Sequence, residues 1–117
     1  MIQDLTDKIR TWGIMRGLDQ GDKARQVNKL GEEYGELCRG VNKGNQDEVV
    51  DALGDMYVVM VQVAMQHGTS IEHCIASAYD EIKDRKGKMI NGVFVKEADL
   101  NTCPHGDNWD DCPDCRH

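Results

Sequence analysis

With 117 residues, the chain has room for one hydrophobic core and not for two. Its 21 acidic against 14 basic residues leave a formal net charge of -7, which excludes a sequence-independent grip on a nucleic-acid polymer, since that needs a surplus of Lys and Arg on one face. No leader-like segment opens it, and the longest apolar run, Met56 to Met65, is broken by Gln62 and falls short of the roughly 20 residues that span a bilayer. A cytoplasmic protein without membrane contact is expected, its five cysteines serving as thiols or metal ligands and not as a disulfide framework.

In chain order, Ile2, Leu5, Ile9, Trp12 and Met15 recur at spacings of three and four, which predicts an amphipathic helix over residues 2–17 ended by Gly17. Residues 18–22 read as a turn in which Asp22 caps a second helix running to about Val41. That helix carries an apolar stripe of Val27, Leu30, Tyr34, Leu37, Cys38 and Val41, with Gln26, Lys29, Glu33 and Glu36 along one flank. Asn42 to Asn45 is a break. A third helix then extends from Gln46 or Asp47 to about Gln66, apolar nearly all round in its second half and therefore expected to be surrounded by protein. Four helices from one chain are too few to cover it, so a homo-oligomer is expected. Thr69-x-x-Glu72 resembles a capping box for a fourth helix with Ile71, Ile75, Ala78 and Ile82 turned inward. After the basic stretch Lys83 to Lys88, Asn91-Gly92 between apolar residues signals a tight hairpin. Residues 1–96 thus form a helical domain and residues 97–117 an acidic, Cys-rich tail.

Two acidic clusters stand out, Glu32-Glu33-x-x-Glu36 on the second helix and Glu48-x-x-Asp51 with Asp55 on the third. At about 100° per residue, Glu33 and Glu36 share a flank, and Glu48, Asp51 and Asp55 fall within about 60° of one another. Carboxylates brought this close repel, so the arrangement needs either bulk water or a divalent cation between the helices. No Glu-x-x-His occurs in the chain, which sets aside the di-iron bundles. An all-oxygen set suits Mg²⁺, or Mn²⁺ in its place.

The runs Lys29-Leu30-Gly31-Glu32-Glu33-Tyr34-Gly35-Glu36-Leu37 and Asp47-Glu48-Val49-Val50-Asp51-Ala52-Leu53-Gly54-Asp55 resemble the paired Glu-Glu-x-x-Glu and Glu-x-x-Asp signature of the MazG-like all-α nucleoside triphosphate pyrophosphohydrolases. The resemblance covers roughly residues 20–90, with the interval between Glu36 and Glu48 at the short end of the family's spacing. It implies an all-α fold, a four-helix core bundle to which the hairpin and tail are appended, assembled as a homodimer or homotetramer. It also implies hydrolysis of a nucleoside triphosphate at the α–β phosphoanhydride, giving monophosphate and pyrophosphate. Glu33, Glu36, Glu48 and Asp51 match the family's Mg²⁺-binding positions, and Glu32 and Asp55 match neighbouring acidic positions that orient a water or a further ion. Glu32 or Glu36 is the expected proton acceptor, and Glu48 the carboxylate whose loss should end turnover.

Lys29, on the acidic flank, can meet phosphate or serve as an i,i+4 partner of Glu33. Lys83 and Lys86 lie where the family places triphosphate-contacting basic residues, although the helix macrodipole alone also favours cations at a helix end. Trp12 and Tyr57 can stack on a base or pack in the core. In the tail, Cys112-Pro113-Asp114-Cys115 with Cys103 and either His105 or His117 forms a candidate Zn²⁺ knuckle. Two other function classes fit the same residues: a non-enzymatic, metal-stabilised interaction protein, and a hydrolase of a signalling nucleotide such as guanosine tetraphosphate.

Overall fold

A computed structural model of the protein describes residues 1–100, and the tail from residue 101 onward, with its candidate Zn²⁺ ligands Cys103, His105, Cys112, Cys115 and His117, lies outside the described residues. The chain is mostly helical: α1 Ile2–Met15, α2 Lys23–Lys43, α3 Gln46–Gln66 and α4 Ile71–Ile82 precede a hairpin of β1 Gly87–Ile90 and β2 Val93–Lys96. Single-turn 3-10 segments stand at Leu18–Gln20 and Glu97–Asp99. By contact density the chain divides into two compact units, Met1–Ala76 and Ser77–His117.

Local chemistry sets the ends of these elements. Gly17 takes a left-handed φ of 74° after α1, and the Asp22 side chain accepts the Arg25 amide at 2.9 Å to open α2. Helix α2 continues to Lys43, two residues past the expected end, because Gly44 at φ 67° is the first residue placed to reverse the chain. Asn45 follows and caps α3 by accepting the Glu48 amide at 3.2 Å. The cap of α4 differs from expectation. Ser70, and not Thr69, occupies the capping position and accepts the His73 amide, while Glu72 is engaged elsewhere.

In the first unit, α2 and α3 form an antiparallel pair that comes close at Gly40, where a Cβ would stand 3.2 Å from the Glu48 Cβ and the Val49 nitrogen. The core sits around the second half of α3: Val61, Ala64 and Ile71 are buried, with Ile9, Tyr57, Met60 and Met65 packed against them. Every residue from Met56 to Gln66 is buried or half-buried, as its apolar sequence requires.

Three expected inward faces are rotated. On α1 the buried positions are Thr6 and Gly13 with half-buried Ile9, while Ile2, Leu5 and Met15 are exposed. Small residues let α1 lie close to α3: the Thr6 hydroxyl donates to the Ile2 carbonyl and hydrogen-bonds the Tyr57 hydroxyl at 2.7 Å, and Gly13 makes room for the Gln62 amide. On α2 the buried line runs through Glu33 and Gly40, leaving Val27, Tyr34 and Val41 exposed. On α4 only Ile71 is buried; Ile75, Ala78 and Ile82 face outward. Cys38, on the α2 stripe, is half-buried, and Cys74 of α4 is exposed.

In the second unit, β1 and β2 pair antiparallel with Met89 opposite Phe94 and Ile90 opposite Val93. Asn91 and Gly92 both have positive φ, 51° and 80°, the backbone of the turn that Asn-Gly predicts. Among the described residues, no helix is long and apolar enough to cross a membrane.

Candidate functional site

The antiparallel register of α2 and α3 decides which carboxylates meet. Glu33 and Glu36, one turn apart on α2, converge with Asp55 of α3 so that one oxygen from each lies within 4.8 Å of the others. Glu33 is the buried member, 5% exposed. Its Oε1 is 3.5 Å from Lys29 Nζ, while its Oε2 is buried without a hydrogen-bond partner. A carboxylate oxygen in that position is costly unless a proton or a cation reaches it.

The electrostatics are consistent with such a demand. The Glu36 carboxyl is raised from its ordinary value, chiefly by a side-chain hydrogen bond with Glu33 and next by the Glu33 charge. Arg39 and Lys29 pull the other way and do not win. Carboxylates this close repel in the absence of metal, and a divalent cation between them would relieve that repulsion. The donor set, three carboxylates and no nitrogen or sulfur, is chemically that of a hard cation such as Mg²⁺.

The remaining acidic positions are placed differently. Glu48, one of the carboxylates expected at the metal, accepts from Arg39 Nε at 3.1 Å and is half-buried. Asp51 is exposed, and neither belongs to the close group of three. Glu32 points outward, 69% exposed, with only a loose approach of 3.9 Å to Lys29. Lys83 and Lys86 belong to the second unit, where Lys83 pairs with Asp80 at 3.3 Å and the Lys86 carbonyl accepts the Glu97 amide.

Beside the acidic group lies a cavity of about 540 Å³, within the range of small-molecule sites. Glu33 and Asp55 form part of its wall together with two cations one turn apart on α2, Arg25 and Lys29. The rest of the lining is apolar or amide: Trp12, Leu18, Val58, Val59, Gln26 and Gln62. Carboxylates for a metal, cations for phosphate and an apolar recess therefore adjoin one another. Sequence reasoning did not single out Arg25, although its place four residues before Lys29 put it on the acidic flank. Gln62 was read only as an interruption of an apolar run, and nothing local marks it as a lining residue.

Comparison with known proteins adds three findings. Residues 15–84, more than half of the chain, match the family described as phosphoribosyl-ATP pyrophosphohydrolase. A protein of Haemophilus phage HP1 (strain HP1c1), named only as an uncharacterized 18.2 kDa protein in the rep-hol intergenic region, is 42% identical over 67 residues. That match takes in 56% of this chain and 41% of the phage protein, so the chain spans well under half of its relative's length. No solved structure matches the chain.

Proposed function

The chain belongs to the phosphoribosyl-ATP pyrophosphohydrolase family, and from that premise we propose that it hydrolyses a nucleoside triphosphate at the α–β phosphoanhydride, releasing monophosphate and pyrophosphate. The observation that carries this reading is the buried, unpartnered Glu33 oxygen beside Glu36 and Asp55, opening on a cavity that also presents Arg25 and Lys29. Glu33, Glu36 and Asp55 hold Mg²⁺, or Mn²⁺ in its place, with Glu48 and Asp51 as a second acidic pair on α3. When bound, the ion neutralises phosphate charge and acidifies a coordinated water.

The chain's own groups do the rest. Arg25 and Lys29 bind the phosphate oxygens that the metal leaves uncovered, Arg25 with a planar fork suited to them. Glu36, half-buried and facing the acidic group, accepts the proton of the attacking water through the carboxylate oxygen that the metal leaves free. Glu32, turned to solvent, is the weaker candidate for that step. The water oxygen bonds to phosphorus as the anhydride bond opens, and pyrophosphate leaves.

The exposed Val27, Tyr34 and Val41 on α2 and Leu53 on α3 support a homodimer or homotetramer, since a solvated stripe of this kind is more apolar than a monomer's surface usually tolerates. Light scattering on wild type and Tyr34→Lys tests this, with a monomer expected for the variant alone. The catalytic proposal is tested by pyrophosphate release from a panel of ribo- and deoxynucleoside triphosphates, with Mg²⁺ and with EDTA, on wild type, Glu33→Gln and Glu48→Gln. Release that needs metal and is lost in the variants supports the reading, and silence across the panel with folded protein refutes it.

A further inference from the structure

We infer that the part of this cavity lined by Trp12 and Gln62 is a nucleobase site, with the base stacked on Trp12 and a base N–H donated to the buried Oε1 of Gln62. The inference rests on the nucleotide reading above and names the part of the substrate that the carboxylates and cations do not touch. Two independent observations carry it.

The first is Trp12 itself. An indole on the apolar stripe of an amphipathic helix belongs in the core, yet Trp12 remains 43% exposed. It lines the cavity that contains Glu33 and Lys29, and also an adjoining hollow with Leu5, Ile9 and Val58. Its ring is held in place: the Arg16 guanidinium lies over it, 4.6 Å from the centroid, and also donates to the Trp12 carbonyl at 3.1 Å. A preset aromatic surface in the same cavity wall as Arg25, Lys29, Glu33 and Asp55 is what a base can use, because every base offers a π face.

The second observation is the Gln62 amide, 1% exposed and part of the same cavity wall. Its Nε2 donates to the Ile9 carbonyl at 3.3 Å, which fixes the amide's orientation, while its Oε1 has no donor. Gly13 is the residue that admits this amide, since a Cβ there would fall 2.0 Å from Oε1. With Nε2 committed to the backbone, the site offers an acceptor and asks for a donor. A base amine or ring N–H supplies one; a fully ionised triphosphate, which carries acceptors only, does not.

The chain has two tryptophans, so Trp109→Phe leaves Trp12 as the sole indole and makes its fluorescence a direct report on stacking. In that background, with Mg²⁺, the α,β-methylene analogue of ATP should quench Trp12 emission saturably. Inorganic tripolyphosphate should displace the analogue without quenching by itself. Trp12→Leu should raise KM for the nucleotide at least tenfold, leave inhibition by tripolyphosphate within twofold of wild type, and be rescued by Trp12→Phe. The triphosphate of purine riboside, whose base has no N–H, should bind at least tenfold more weakly than ATP to wild type, a gap that closes in Gln62→Met. Quenching by tripolyphosphate equal to that by nucleotide, or equal binding of the two purine nucleotides, would overturn the base site while leaving the phosphate chemistry standing. If neither nucleotide nor tripolyphosphate binds, the nucleotide reading falls and this inference with it.

Discussion

Replacing Asp55 by Asn should stabilise the metal-free protein and at the same time abolish its response to Mg²⁺. Glu33 and Asp55 present oxygens within 4.8 Å of each other, and with both ionised the Coulomb repulsion is about 1 kcal/mol at water-like screening and about 3.5 kcal/mol at an effective dielectric near 20. Glu33 is buried while Asp55 is exposed, so a value of about 1–2 kcal/mol is appropriate. Removing one charge relieves that repulsion, an upward shift of several degrees in thermal midpoint for a domain of this size. In wild type, Mg²⁺ at ten times its dissociation constant should add about 1.4 kcal/mol, and the Asn variant should lose this gain. Thermal melts with EDTA and over a Mg²⁺ series measure both arms. A variant less stable than wild type in EDTA that still shows the full Mg²⁺ shift would refute the placement of Asp55 at the metal.

The other predictions concern different parts of the chain. Gly13→Ala in an exposed helix would gain about 1 kcal/mol of propensity, but here the new Cβ meets the Gln62 amide and breaks its bond to Ile9, so a net loss of about 1–2 kcal/mol in urea unfolding is expected; a gain would show that α1 and α3 are not this close. The Glu72 carboxyl is lowered to about 2, first by the Gln3 amide and then by the Arg10 guanidinium, and a depressed acid stabilises above its unfolded value and ceases to do so as pH falls towards the folded one. Glu72→Gln should therefore be less stable than wild type at pH 6, the gap narrowing from about pH 4.5 down to about pH 2, and a gap independent of pH would contradict the assignment. For the tail, metal analysis of protein purified without chelator should find about one zinc per chain if Cys103, Cys112, Cys115 and a histidine bind it, and Cys112→Ser should remove that zinc.

Much of the fold was written locally. The cap at Asp22, the Gly17 reversal and the Asn91-Gly92 turn are properties of a few neighbouring residues and a fixed backbone preference, so they were readable from the chain. The uniform apolarity of α3 from Met56 onward likewise announced a central helix. The paired acidic runs on α2 and α3 were visible as well, and with them the family. Which apolar stripe faces inward was not readable, because Thr6 and Gly13 win the buried side of α1 through close approach and a hydrogen bond rather than through hydrophobicity. The membership of the acidic group was likewise a tertiary matter. Helical periodicity places Glu48, Asp51 and Asp55 on one face but cannot say which turn of α3 lies opposite Glu33 and Glu36. The short Gly44–Asn45 connection and the close contact at Gly40 set that register, bringing Asp55 level with the pair and leaving Glu48 beside Arg39. Gln62 belongs to the same class: a polar residue in an apolar helix looks like an irregularity in one dimension, and its chemistry appears only when α1 is packed against it.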